Sequence, residues 1–134
     1  MLDLIARYEQ YIKLFRVFLY EQEGELFRFK AELRFKDGSR IFIKEYVFKG
    51  SERKYAYHWE NQVGNLICRW DNASHWPDIS TFPHHKHLNG AVHESTETSL
   101  ADVLNTITEK MVCKDPNYSD KFQIPRKQIP NNFG

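Results

Sequence analysis

With 134 residues, a formal net charge of +1, 41% hydrophobic and 15% aromatic content, the chain is long enough for one domain with its own core and too apolar for disorder. Its apolar runs are short and broken by charges, and the opening MLDLIARYEQ carries acids where a signal peptide needs an apolar run. A membrane segment and a secretory leader are therefore not expected, and the expected localisation is cytoplasmic. Cys68 and Cys113 are too few and too far apart to define a disulfide framework or a cysteine zinc site.

The first predicted element is a helix capped by Asp3, because Leu4, Ile5, Tyr8, Ile12 and Phe15 fall near helical spacing, and it is expected to end around Lys13. From Arg16 the period changes. In LFRFKAELRFK, Phe27, Phe29, Ala31, Leu33 and Phe35 alternate with Arg28, Lys30, Glu32, Arg34 and Lys36, which describes a half-buried strand with a basic outer face. KDGS at 36–39 supplies an Asp-Gly hairpin turn, so RIFIKEYVF from Arg40 pairs antiparallel with that strand. Tyr55, Tyr57 and Trp59 alternate with Lys54, Ala56 and His58, and beyond a turn at Gly64, Leu66, Cys68 and Trp70 alternate with Ile67, Arg69 and Asp71. A four-residue turn at 61–64 sets Tyr57 opposite Cys68 and His58 opposite Ile67, with the aromatic side chains on one face and His58 and Arg69 on the other.

The aperiodic DNASHWPDISTFPHHKHLNG is rich in turn formers and is read as a loop. Ser99 with Asp102 three residues on caps a second helix whose stripe is Leu100, Val103, Leu104, Ile107 and Met111. The expected fold class is α+β: an antiparallel sheet of about five strands in a meander, flanked by an N-terminal and a C-terminal helix. The expected organisation is a single domain over residues 1–113 and an irregular tail over 114–134.

Charge is distributed unevenly along this order. Residues 26–54 hold nine Lys/Arg against four Asp/Glu, whereas residues 55–109 hold two against seven and contain all six histidines. A basic strand face made of Arg28, Lys30, Arg34, Arg40 and Lys44 has the make-up of a nucleic-acid backbone contact. Ordinary solvated strands have the same composition.

The densest chemistry lies in TFPHHKH, which places His84, His85, Lys86 and His87 in four consecutive positions. In an extended segment His85 and His87 project one way and His84 and Lys86 the other, with about 6–7 Å between alternate residues. Two imidazoles so spaced can bracket a phosphodiester, one taking a proton from a 2′-hydroxyl and the other protonating the leaving oxygen, while Arg69 or Lys86 meets the charge on phosphorus. His-x-His with His75, His93 or Asp71 is also a candidate zinc set, but no His-Glu-x-x-His or Cys-x-x-Cys spacing accompanies it. A P-loop is absent from the sequence, so nucleotide hydrolysis of that type is excluded.

Taken together, KDGSRIFIKEY, YAYHWEN, RWDNASHWP, TFPHHKH and SLADVLNTI stand in an order and spacing that resembles the TumE-like toxins of type II toxin–antitoxin modules, over roughly residues 20–110. Where that family more often has paired histidines, this chain has Ser74, His75 and Trp76. The resemblance implies a toxin with a helix-turn-helix antitoxin of Xre type as partner, acting on RNA or translation, and it carries over His58, Arg69, Asp71, His84, His85, Lys86 and His87 as the catalytic residues. The leading expectation is an RNA-binding hydrolase, a metal-independent ribonuclease using histidine acid/base catalysis with no cofactor and no membrane partner, and a homodimer is compatible with it. A metal-dependent nuclease and a non-catalytic module that only binds its antitoxin are the competing readings.

Overall fold

The computed structural model describes residues 1–114. Chain contacts divide these into two compact units, residues 12–98 and the pair of segments 1–11 and 99–114. The first unit is a seven-stranded antiparallel sheet in simple meander order among the described residues: β1 Ile12–Glu23, β2 Leu26–Phe35, β3 Arg40–Val47, β4 Arg53–Glu60, β5 Leu66–Asp71, β6 His85–Leu88 and β7 Ala91–Glu94. The second unit contains α1, Leu2–Ala6, a 3-10 turn at Glu9–Tyr11, and α2, Leu100–Lys114. The α+β class and the meander thus stand as expected, with seven strands rather than about five. The irregular tail expected over 114–134 lies, from residue 115 onward, outside the described residues.

Strand alternation sorts the side chains as the sequence suggests. Phe29, Ala31, Leu33 and Phe35 of β2, Ile41 and Ile43 of β3, Tyr55, Tyr57 and Trp59 of β4, and Cys68 and Trp70 of β5 are buried. Each large one contributes about 1.5–3 kcal/mol of transfer free energy, which is what fixes the faces. The predicted hairpin at KDGS is present, with the Asp37 carboxylate accepting from the Ser39 N–H at 2.9 Å and hydroxyl at 2.6 Å. Gly38 sits there at φ +90, and a Cβ on it would lie 2.9 Å from Gln62 Oε1.

A polar set is buried on the same face. Glu45 holds the Arg53 guanidinium at 2.6 and 3.0 Å and accepts from the Tyr57 hydroxyl, while Arg53 also reaches Tyr57 Oη at 2.6 Å and the Thr98 carbonyl at 2.8 Å. Burial, then the Glu45 charge, pushes the Tyr57 hydroxyl far up from its ordinary pKa. Burial is the largest single influence and would lower Arg53, but the hydrogen bond and charge of Glu45, with Tyr57 and Glu97, together outweigh it and hold the guanidinium charged. Arg53 therefore belongs to the fold rather than to a basic surface.

Three expectations need correction. The first helix stops at Ala6 instead of near Lys13, and its N-cap is Met1 with no side-chain cap bond, not Asp3. Ile12 and Phe15 face Phe35 and Leu33 in the β1–β2 ladder, and a segment as rich in branched and aromatic residues as IKLFRVFLY gains more by pairing than by continuing a helix. The β4–β5 register differs by two residues: Tyr57 opposes Trp70 and His58 opposes Arg69. The connection closes as a wider loop, with Asn61 N–H donating to the Asn65 carbonyl and the Asn61 side chain accepting from Val63 and Asn65, and a bulge follows Trp59. Because the side-chain period is two, that shift leaves every residue on its expected face. Finally, TFPHHKH is not all loop, since His85–Leu88 adds to β5 as a sixth strand and Ala91–Glu94 as a seventh.

The second helix forms as read. Ser99 N–H donates to Asp102 Oδ2 at 3.0 Å and Asp102 N–H to Ser99 Oγ at 3.2 Å, a reciprocal cap. Leu100, Val103, Leu104, Ile107 and Met111 are all buried, and within this unit the Tyr8 hydroxyl donates to Asn105. Among the described residues no helix is long and apolar enough to cross a membrane.

Candidate functional site

The face of the sheet opposite its buried aromatics is where the chemistry gathers. Strand register puts Phe42, His58, Arg69 and His87 in one row across β3, β4, β5 and β6. The adjoining row runs Lys30, Lys44, Ala56, Asp71, His85 and Glu94. All five cations expected to contact nucleic acid, Arg28, Lys30, Arg34, Arg40 and Lys44, project from this face too. Ala56, the small residue between Lys44 and Asp71, leaves room above the sheet: an open concavity of about 680 Å³ is lined by Lys44, Lys54, Ala56, Arg69, Asp71, Asn72, His75 and Phe82 among others. A smaller one of about 230 Å³ adjoins it at Lys30, Phe42, Lys44, His58 and Arg69.

Asp71 organises the cluster. It is 5% exposed, and its Oδ1 accepts from the Ala73 N–H at 3.0 Å and lies 2.9 Å from His85 Nε2. Its Oδ2 accepts from Arg69 Nε at 3.1 Å and lies 3.5 Å from His87 Nε2. His85 is only 2% exposed, and its Nδ1 lies 2.8 Å from the Pro83 carbonyl oxygen, which can only accept. That contact puts a proton on Nδ1. Nε2 faces the Asp71 carboxylate at 2.9 Å, a contact that a shared proton or a metal ion would close. One ligand atom each of His85, His87 and Asp71 lie within 4.8 Å of one another, the donor set of a two-histidine, one-carboxylate metal site, and the Pro83 carbonyl supplies the outer support that metal-binding imidazoles usually have.

His58 and His87 flank Arg69, and both are partly open to solvent, with 31% and 28% of their side-chain surface exposed. Arg69 Nη1 lies 3.3 Å from His58 Nδ1. Burial lowers the His58 pKa from 6.5, the Arg69 charge lowers it further, and Glu60 opposes them. Burial is also the largest influence lowering His87, opposed by Asp71 and reinforced by His85 and Arg69.

Of the seven residues the sequence nominates as catalytic, His58, Arg69, Asp71, His85 and His87 come together here. The other two face the opposite way. His84 stacks on Tyr55 with Nδ1 2.9 Å from its hydroxyl, and Lys86 sits opposite Trp70 and His93. The five cations are also unequal. Arg28 pairs with Glu21, Arg34 with Glu32 at 2.9 Å and Arg40 with Glu60 at 2.7 Å, whereas among the described residues Lys30 and Lys44 have no such carboxylate and border the Tyr46 ring, at 5.9 and 5.0 Å. Sequence reasoning did not single out the Pro83 carbonyl, Lys54, or the exposed rings of Trp76 and Phe82 beside the cluster. Lys54 shares its strand alternation with His58 and was legible; the carbonyl contact was not.

An antiparallel meander with helical elements and a histidine–arginine–aspartate cluster on one sheet face defines a small α+β protein whose chemistry is concentrated on a single surface. The family model described as Toxin TumE matches residues 1–111, and the chain belongs to that family. It is accordingly a toxin component of a toxin–antitoxin module, with an antitoxin as its partner. Comparison with curated proteins and with solved structures returned no match.

Proposed function

We propose that this toxin is a metal-independent ribonuclease acting in the cytoplasm, with His58 and His87 as the proton-transfer pair and Arg69 between them as the phosphate contact. The observation that carries the reading is the row His58, Arg69, His87 on three adjacent strands. Strands lie about 4.8 Å apart, so the two imidazoles start roughly 10 Å apart at the backbone and converge over a group held at Arg69. One neutral imidazole takes the proton of a ribose 2′-hydroxyl; the 2′-oxygen bonds to phosphorus as the bond to the 5′-oxygen breaks, and the other imidazolium gives that oxygen its proton. The products are a 2′,3′-cyclic phosphate and a 5′-hydroxyl. Each proton transfer contributes about 10²–10⁴-fold, and Arg69 offsets charge accumulating on the phosphoryl oxygens. Asp71 and His85 act as positioning residues: His85 is enclosed with both ring nitrogens engaged, and its contact with Asp71 fixes the carboxylate that orients Arg69 and His87. Lys30 and Lys44 hold the RNA backbone.

A second reading, a metal-dependent nuclease, is favoured by one observation, the convergence of Asp71, His85 and His87. Incubating the purified toxin with RNA in excess chelator separates the two. Cleavage that survives supports proton transfer by histidines alone, and cleavage that is lost and returns with added zinc or manganese supports the metal. Absence of cleavage under every condition leaves a toxin that acts by binding. The partner we propose is a helix-turn-helix antitoxin of Xre type, and co-expression of such a protein from the neighbouring reading frame is expected to abolish growth inhibition.

A further inference from the structure

Among the described residues β1 is a terminal strand of the sheet and pairs on one side only, with β2. It is 12 residues long, against four for β7 at the other edge. Along it Leu14, Phe15, Val17, Phe18 and Tyr20 are 38–54% exposed, five of the eleven large apolar side chains exposed among the described residues. A long apolar edge with unpaired N–H and C=O groups is what folded proteins ordinarily blunt with charge, proline or brevity. The charges of β1 are instead at its ends, Lys13 and Arg16 near the start and Glu21 and Glu23 near the finish.

We infer that β1 pairs antiparallel with β1 of a second copy of this chain. A strand that is basic at one end and acidic at the other is complementary to itself when reversed. Of the two irregularities in β1, between Ile12 and Leu14 and between Val17 and Leu19, the second fixes the register. Leu14 and Arg16 oppose Arg34 and Glu32, on the face that carries the histidines; beyond the break between Val17 and Leu19, it is Leu19 and Glu21 that oppose Lys30 and Arg28 on that face. The face thus passes from even to odd positions along the strand. A self-pairing keeps like faces together only when an even position before the break opposes an odd one after it. The register centred between Phe18 and Leu19 does this and also matches the charges: Arg16 opposes the partner's Glu21, Val17 opposes the partner's Tyr20, and Phe15 opposes the partner's Gln22, each contact occurring twice. Arg28 engages Oε2 of Glu21, and Oε1 is the atom assigned to the partner's Arg16. The two sheets join about an axis perpendicular to them, so the two basic faces lie side by side on one surface. The inference is independent of the ribonuclease reading, since it uses no residue of the histidine cluster.

Sedimentation velocity on the full chain without antitoxin, over a dilution series, tests it. The wild type is expected to be a dimer. Arg16→Glu, at an exposed position, sets like charges opposite each other twice and is expected to weaken dimerisation about tenfold or more. Phe18→Lys is expected to give a monomer with an unchanged circular dichroism spectrum. As a readout on the unmodified chain, the β1 amides that do not bond to β2 are expected to gain hydrogen-exchange protection as concentration rises. A monomeric wild type, a dimer indifferent to both substitutions, or protection of β1 that appears only with antitoxin would each overturn the inference, the last by identifying the antitoxin as the strand's occupant.

Discussion

Replacing Asp71 by Asn changes almost nothing in size and everything in the hydrogen-bond sense of one atom. Both carboxylate oxygens accept from a donor, the Ala73 N–H on Oδ1 and Arg69 Nε on Oδ2, with a nitrogen of His85 beside the first and of His87 beside the second. The amide nitrogen cannot accept, so wherever it points it confronts a donor, and the less costly orientation turns it toward the half-open His87 and away from the enclosed His85. Arg69 then loses its partner at 3.1 Å. A charge-assisted hydrogen bond is worth about 1.5–3 kcal/mol, and removing one member of a buried charged pair costs about 3–5 kcal/mol. With Arg69 39% exposed on its side chain and able to recover water, a loss of about 3 kcal/mol is expected. Against a typical domain stability of about 5–15 kcal/mol the variant stays folded, with a thermal midpoint roughly 10 °C lower. Urea unfolding followed by fluorescence of the buried Trp59 and Trp70 measures this. RNA cleavage under conditions where the variant is folded is expected to fall by about 10²-fold, because Arg69 is no longer aimed. A stability change below about 0.5 kcal/mol, within the range of an ordinary surface substitution, would refute the placement of Asp71 at the centre of the cluster.

His58→Ala and His87→Ala should each reduce cleavage about 10²–10⁴-fold, the double variant being little worse than either single, because groups acting as one unit are non-additive; His84→Ala should keep turnover and lose thermal stability, since its ring stacks on Tyr55 instead. Both proton-transfer histidines have pKa values lowered from 6.5, and catalysis needs one charged and one neutral, so the rate should be bell-shaped with its maximum on the acid side of pH 6.5 and should fall as alkali leaves neither protonated; a maximum above pH 7.5 would contradict the assignment. Lys30→Ala and Lys44→Ala should each weaken RNA binding and flatten its log–log salt slope by about 0.7, while Arg34→Ala, whose guanidinium is held by Glu32, should change the slope less; equal slopes in a filter-binding titration would count against the free lysines. Glu45→Ala removes the carboxylate that the half-buried Arg53 and the buried Tyr57 hydroxyl share and should cost about 3 kcal/mol in denaturant unfolding; a loss under 1 kcal/mol would mean that the network adds little to the fold.

The parts of this molecule governed by the period of two were readable in the sequence. Phe27 to Phe35 alternates without a break into an Asp-Gly turn, Ile41 and Ile43 continue the buried side beyond it, and even a register misplaced by two residues kept His58 and Arg69 on one face. Strands β6 and β7 escaped because four residues of mostly polar character carry no hydrophobic alternation; what makes HKHL a strand is the β5 edge it pairs with, a long-range fact. The first helix was over-extended because Leu4, Ile5, Tyr8, Ile12 and Phe15 satisfy helical spacing while the last two also satisfy a strand. For the site, composition pointed to TFPHHKH, but the division of labour within it depends on which residues the sheet turns toward Asp71 and on a carbonyl at Pro83, neither of which leaves a mark in the spacing. Glu45 falls on the buried side of its strand with Ile41 and Ile43, and its pairing with Arg53 of the next strand is not written in the spacing.

The chemistry of the ends left on cleaved RNA tests the catalytic account most directly. Purified toxin is mixed with an end-labelled RNA in excess chelator, and the fragments are resolved before and after treatment with a phosphatase that removes terminal phosphates but not cyclic ones. Attack by the 2′-hydroxyl between His58 and His87 predicts 2′,3′-cyclic phosphate and 5′-hydroxyl ends, absent with His87→Ala. Fragments bearing 5′-phosphates, or cleavage that requires added metal, would contradict it.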